Sequence, residues 1–98
     1  MNTGELIVDG MLSGTGVRDA TNGGYVSLSD LKITENLSYR INKWVSDYET
    51  VHFLQYKDIK ENEELDMRGI QLAKELQIVL DDLKIRYFSN WLMKELHF

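Results

Sequence analysis

One stretch limits the possible folds of this chain more than any other. Leu65, Leu72, Leu76, Val79, Leu80 and Leu83 recur at spacings of three, four and seven. Such spacing predicts one apolar stripe of an α-helix, with Ala73 as a small contact beside it. The opposite face carries Lys74, Glu75, Asp81 and Asp82. Directly behind the helix, Lys84-Ile85-Arg86-Tyr87-Phe88 changes to large and β-branched residues, the pattern of a strand. A helix that runs into a strand with almost no loop needs a sheet to dock on. Gly69 lies inside the helical pattern, where it costs roughly 1 kcal/mol relative to alanine. A glycine kept there predicts close approach of another backbone, either the first helix or the strand at 6–8.

The rest of the chain supplies partners for this unit. Glu5-Leu6-Ile7-Val8-Asp9 reads as a strand. Residues 10–34 read as loop-rich, with a possible strand at 25–28 and one helical turn near Ser29-Asp30-Leu31. Thr21-Asn22-Gly23-Gly24 is a turn signal, but Arg18-Asp19-Ala20 before it makes a poor strand. Thr34 or Asn36 can cap the next helix. From Asn36 to Tyr56, Leu37, Ile41, Trp44, Tyr48, Val51 and Gln55 trace a second helical stripe. Residues 57–66 read as a polar connection, and 89–98 as a short amphipathic helix anchored by Trp91, Leu92 and Leu96, or a tail. The expected fold is α+β: two long antiparallel helices on a small two- to three-stranded sheet with strands near 5–9 and 84–88. Residues 1–98 are expected to form a single domain.

Composition excludes several function classes. At 98 residues one compact core is expected. No apolar run approaches the roughly 20 residues of a transmembrane helix, and the N-terminus lacks a secretory pattern. There is no cysteine, so disulfides, thiol nucleophiles and thiolate metal sites are excluded. The net charge of −5 disfavours general nucleic-acid binding, which needs concentrated Lys and Arg. It suits a basic partner, and a cytoplasmic location is the expectation.

Catalytic signals are weak. His52 lies beside the first apolar stripe and His97 one residue from the end. Two histidines so placed make neither a metal site nor a triad. The loop 13–19, with Ser13-Gly14-Thr15-Gly16, invites comparison with phosphate loops. However, Asp19 stands where a dinucleotide fingerprint wants glycine, and the Gly-Lys-Ser/Thr of a Walker loop is missing. The expectation is a protein that is not an enzyme and needs no cofactor or metal. The alternative is a small ligand-binding or enzymatic domain using Thr15, Arg18 and Asp19 of that loop.

Five segments, in order, carry a family resemblance. They are Met11-Leu12-Ser13-Gly14-Thr15-Gly16-Val17-Arg18-Asp19, Gly23-Gly24-Tyr25-Val26, Trp44-Val45-Ser46-Asp47-Tyr48-Glu49, Leu65-Asp66-Met67-Arg68-Gly69-Ile70-Gln71-Leu72-Ala73 and Ile85-Arg86-Tyr87-Phe88-Ser89. Together they cover most of residues 5–89. The order resembles small immunity-type proteins of bacterial contact-dependent inhibition and other polymorphic toxin systems. The resemblance implies a protein that binds and blocks a cognate toxin domain, often a nuclease with a basic surface. It transfers no catalytic residues. The acids expected to face such a partner are Asp47, Glu49, Asp58, Glu61, Glu63, Glu64 and Asp66, with Tyr56 as an aromatic anchor. They would occupy the place of substrate phosphates and steer association. Part of the same acidic cluster also has a structural account, since acids favour the positive end of the second helix.

Overall fold

The computed structural model describes residues 4–98. Its elements run β1 (Glu5–Asp9), β2 (Val17–Asp19), a 3₁₀ turn (Leu28–Asp30), α1 (Glu35–Phe53), α2 (Ile59–Val79), β3 (Lys84–Ser89) and β4 (Lys94–Leu96). The fold is α+β, but the sheet has four strands in the order β2-β1-β3-β4 rather than two or three. β1 and β3 are parallel, with Leu6 opposite Ile85 and Val8 opposite Tyr87. β2 and β4 add antiparallel edges. The two helices, of 19 and 21 residues, form the crossover between the parallel strands.

Alternation in the strands decides which face is covered. Leu6, Val8, Ile85 and Tyr87 are buried, while Ile7, Arg86 and Phe88 are half-buried on the other face. The core closes with Ile41, Trp44, Tyr48, Leu65, Leu72 and Leu76 from the helices. Period-two burial against period-3.6 burial is what lets one layer of helices seal one face of the sheet.

The helix starts follow capping chemistry. Thr34 Oγ1 accepts from the Leu37 amide at 3.1 Å, and Asp58 accepts from the Glu61 amide at 3.1 Å. Each satisfies one of the N–H groups a helix start leaves orphaned. α1 stops at Phe53 because Gln55 and Tyr56 turn to positive φ, 59° and 58°. Gln55 is therefore not the last residue of the stripe. The expected polar connection at 57–66 is shorter: α2 begins at Ile59, capped by Asp58. Val79, placed on the apolar stripe by its spacing, is 47% exposed.

Two corrections fall at the ends of the sheet. Val17–Asp19 is a strand although only Val17 is buried in it, because β1 offers an unpaired edge. Tyr25 adds no strand, only an isolated bridge to Arg18. Residues 89–98 are not a helix: Lys94–Leu96 pairs with Ser89, Phe88 and Tyr87.

Gly16 sits at φ +98°, and a Cβ there would also meet Ile41 and Val45 at 2.8 Å. Both the turn and the approach to α1 exclude a side chain. Gly69 answers the expectation of a close approach, but the neighbours are side chains. A Cβ would lie 2.3 Å from Tyr87 Cε1 and 2.6 Å from Trp44 Cζ2.

The outer side of the helical hairpin is laced by ion pairs that fix the antiparallel register. Arg40 Nη1 and Nη2 donate to Glu75 at 2.8 and 2.6 Å. Arg68 and Lys43 both reach Asp47 at 2.9 Å. The Arg40 bonds hold the Glu75 carboxyl below its usual range. Partial burial pushes Asp47 up, but the bonds from Lys43 and Arg68 bring it lower on balance. A carboxyl depressed in the folded state adds stability above its unfolded pKa and loses it as pH falls through the folded one. Stability should therefore drop on acidification below about pH 4, and Arg40→Gln should flatten part of that drop. Solvent screening keeps each pair to about 0.2–1 kcal/mol. A urea midpoint unchanged between about pH 5 and 3 would contradict this.

Candidate functional site

The parallel pair β1–β3 places its carboxyl ends beside the last turn of α1 and the first turns of α2. Polar groups gather there, in three layers of decreasing burial.

The innermost is Asp66, 5% exposed and on the sheet-facing side of α2. Its Oδ1 accepts from the Tyr48 hydroxyl at 3.1 Å and the Tyr87 hydroxyl at 2.6 Å. Its Oδ2 accepts from Ser89 Oγ at 2.8 Å and Trp91 Nε1 at 2.9 Å. Burial, with the Asp66 charge added, raises both phenols well above their ordinary value, so they stay protonated and donate. A buried carboxylate held by four donors is a fixed structural hub. Asp66 is thus withdrawn from the set of partner-facing acids.

The second layer is His52 with Tyr56. The Gly10 carbonyl can only accept, so His52 Nε2, 3.0 Å away, carries the proton. In the neutral ring Nδ1 then accepts from the Tyr56 hydroxyl. Burial raises the Tyr56 phenol, in keeping with a donor role. Tyr56 is half-buried and tied to the α1–α2 turn, rather than presented as a free anchor.

The outer layer is open to solvent. A groove of about 520 Å³ is lined by Leu12, Ser46, Glu49, Thr50, His52 and Phe53. Phe53 is 87% exposed, with Leu12 and Leu54 more than half exposed beside it in this end of the fold. On α2, Ile59 and Met67 are exposed on the same helical face as Glu63. Glu49, Glu61, Glu63 and Glu64 are all exposed. Among the described residues none of these four is in an ion pair.

Of the eight residues singled out by sequence, the structure therefore separates two groups. Glu49, Glu61, Glu63 and Glu64 lie free on the surface. Asp47 is neutralised by Lys43 and Arg68, Asp58 is spent as a helix cap, Tyr56 bonds His52, and Asp66 is buried. Sequence reasoning missed Phe53 as an exposed aromatic residue. Its position one residue from Leu54 and next to the helix end was the available signal.

The side chains of Thr15, Arg18 and Asp19 in the glycine loop each have a partner within the chain. Thr15 Oγ1 donates to the Val26 carbonyl at 2.6 Å, and Arg18 pairs with buried Asp9 at 3.2 Å. Asp19 accepts from the Thr21 and Asn22 amides at 2.9 Å, and the Asn22 bonds hold its carboxyl below the usual range. The three side chains the alternative reading requires are engaged within the chain.

No protein-family model matches the chain, and no curated protein matches it. No helix among the described residues is long and apolar enough to cross a membrane.

Proposed function

We propose that the chain is an immunity-type protein that binds a basic bacterial toxin domain in the cytoplasm and covers its active surface. The observation carrying this reading is Phe53, an aromatic side chain 87% exposed at the end of α1. Together with exposed Leu12 and Leu54 it makes contiguous apolar surface of the kind that marks a protein–protein contact. Interface anchors are typically aromatics of this kind, surrounded by groups that steer rather than hold. Glu49 stands one turn before Phe53 on α1, and Glu61, Glu63 and Glu64 stand on the adjoining turns of α2. The contact set is revised accordingly to Phe53, Leu12, Glu49, Glu61, Glu63 and Glu64.

The mechanism is occlusion. Carboxylates on α2 take the positions that substrate phosphates would hold against toxin Lys and Arg, while Phe53 enters an apolar recess. Nothing in this scheme requires chemistry by the chain itself.

The test uses the full chain and, as the candidate toxin domain, the product of the gene immediately upstream. The association rate should fall steeply with ionic strength. The triple change Glu61→Lys, Glu63→Lys, Glu64→Lys should slow association at least about tenfold at low salt. Phe53→Ala should act on dissociation instead and weaken binding about thirtyfold, the size of a hot-spot loss. Phe53 touches little of its own fold, so Phe53→Ala should keep thermal stability within the small range of surface substitutions, whereas the triple change should lower it by about 1 kcal/mol because acids near the start of α2 favour its positive dipole end. Absence of a complex, or an association rate indifferent to salt, would remove the reading.

A further inference from the structure

On the outer side of the helical hairpin, a cavity of about 210 Å³ is lined by Arg40, Lys43, Arg68, Gln71 and Leu72. Three cationic residues and no carboxylate line it, in a chain whose acids outnumber its bases 16 to 11. The groove beside Phe53, by contrast, has Glu49 in its wall. Glu75 and Asp47 engage these cations from outside the cavity wall. The pairing leaves donors to spare. Arg40 uses one hydrogen each on Nε, Nη1 and Nη2, Lys43 uses one of three, and Arg68 pairs through Nη2. The Gln71 amide adds a neutral donor, and Leu72 provides an apolar wall.

From this we infer that the cavity binds a phosphate-bearing small molecule. Three oxygens on one phosphorus match donors arriving from three cations on two helices. A carboxylate offers only two oxygens and would leave one cation unmatched. The volume leaves room for a small organic group against Leu72. The ion pairs to Glu75 and Asp47 hold the cations in place before the ligand arrives, which lowers the ordering cost of binding. The site is separate from the proposed partner surface: Lys43 and Phe53 are ten residues apart on α1, about 15 Å along the axis.

The experiment titrates the full chain with inorganic phosphate and with phenyl phosphate, read by calorimetry and by the amide shifts of α1 and α2. Saturable one-to-one binding is expected, with phenyl phosphate the tighter of the two. The shifts should centre on Lys43, Arg68 and Gln71. Lys43→Gln and Arg68→Gln should each weaken binding about tenfold. Both side chains are about half exposed, so the variants should fold, and a thermal melt confirms it. Lys94→Gln, on distant β4, should bind like the parent. Failure of both ligands to saturate would overturn the inference. So would equal weakening by Lys94→Gln, which would mean diffuse attraction rather than a site.

Discussion

Asp66→Ala should cost about 4 kcal/mol, a large part of the 5–15 kcal/mol that holds a typical domain together. The change strips the acceptor from Tyr48, Tyr87, Ser89 and Trp91 at once. Tyr48, Tyr87 and Ser89 are fully buried and have no water to turn to. Each orphaned donor costs about 1–3 kcal/mol, offset in part because the charge no longer has to be desolvated. Asp66→Asn separates these contributions. Trp91 Nε1 can only donate, so the asparagine oxygen must face Trp91 and Ser89, leaving its amide toward the tyrosines. Phenol hydroxyls can rotate to accept, so asparagine should cost about half as much as alanine. Urea unfolding followed by circular dichroism measures both. The β3–β4 connection hangs on the same carboxylate, through Ser89 and Trp91, so amides after Asn90 should also exchange faster in Asp66→Ala. An alanine variant within about 1 kcal/mol of the parent would show that the hub is not structural.

The second large effect is at Gly69. Helix propensity alone says that Gly69→Ala should stabilise by about 1 kcal/mol. Packing says the opposite. A Cβ would sit 2.3 Å from Tyr87 and 2.6 Å from Trp44, both of which are fully buried. Neither ring is free to swing aside: Tyr87 is bonded to Asp66, and Trp44 Nε1 donates to the Leu65 carbonyl at 2.8 Å. Overpacking of this kind costs about 1–3 kcal/mol, so alanine should come out destabilising by about 1 kcal/mol net. Gly69→Val adds two methyls and a stiff χ1 to the same space and should cost about 3 kcal/mol or more. Trp44→Phe opens room on one side. Combined with Gly69→Ala it should cost less than the two changes added separately, because the sites share one volume. A stabilised Gly69→Ala would mean that propensity wins and that the rings yield.

Much of the architecture was legible in the residues. The stripe from Leu65 to Leu76 and the run at Ile85–Tyr87–Phe88 are one helix and one strand, although α2 ends at Val79 and leaves Leu80 and Leu83 outside it, and β1 pairs with that strand as its apolar run suggests. Trp44 and Tyr48 are core residues, as their spacing requires. The edges were harder to read. β2 and β4 are three residues each, and their pairing is decided by a neighbour's free hydrogen-bonding groups rather than by their own side chains. Asp66 was misread through its company of acids at 58–64. Its spacing from Asn62 and Gly69 put it on the buried face of α2, and that periodicity was the stronger signal.

What the residues settle alone is local: apolar periodicity, a first helix cap narrowed to Thr34 or Asn36, and an acidic surplus with no cysteine chemistry. These follow from backbone geometry and composition, which act within a turn or two of chain. What only the tertiary structure decides is which acids are free. Asp47, Asp58 and Asp66 resemble Glu49, Glu61, Glu63 and Glu64 on paper, yet partners brought from elsewhere in the chain, or the start of a helix, consume the first three. Charge availability is a property of neighbours in space, and those neighbours lie as many as 25 residues away.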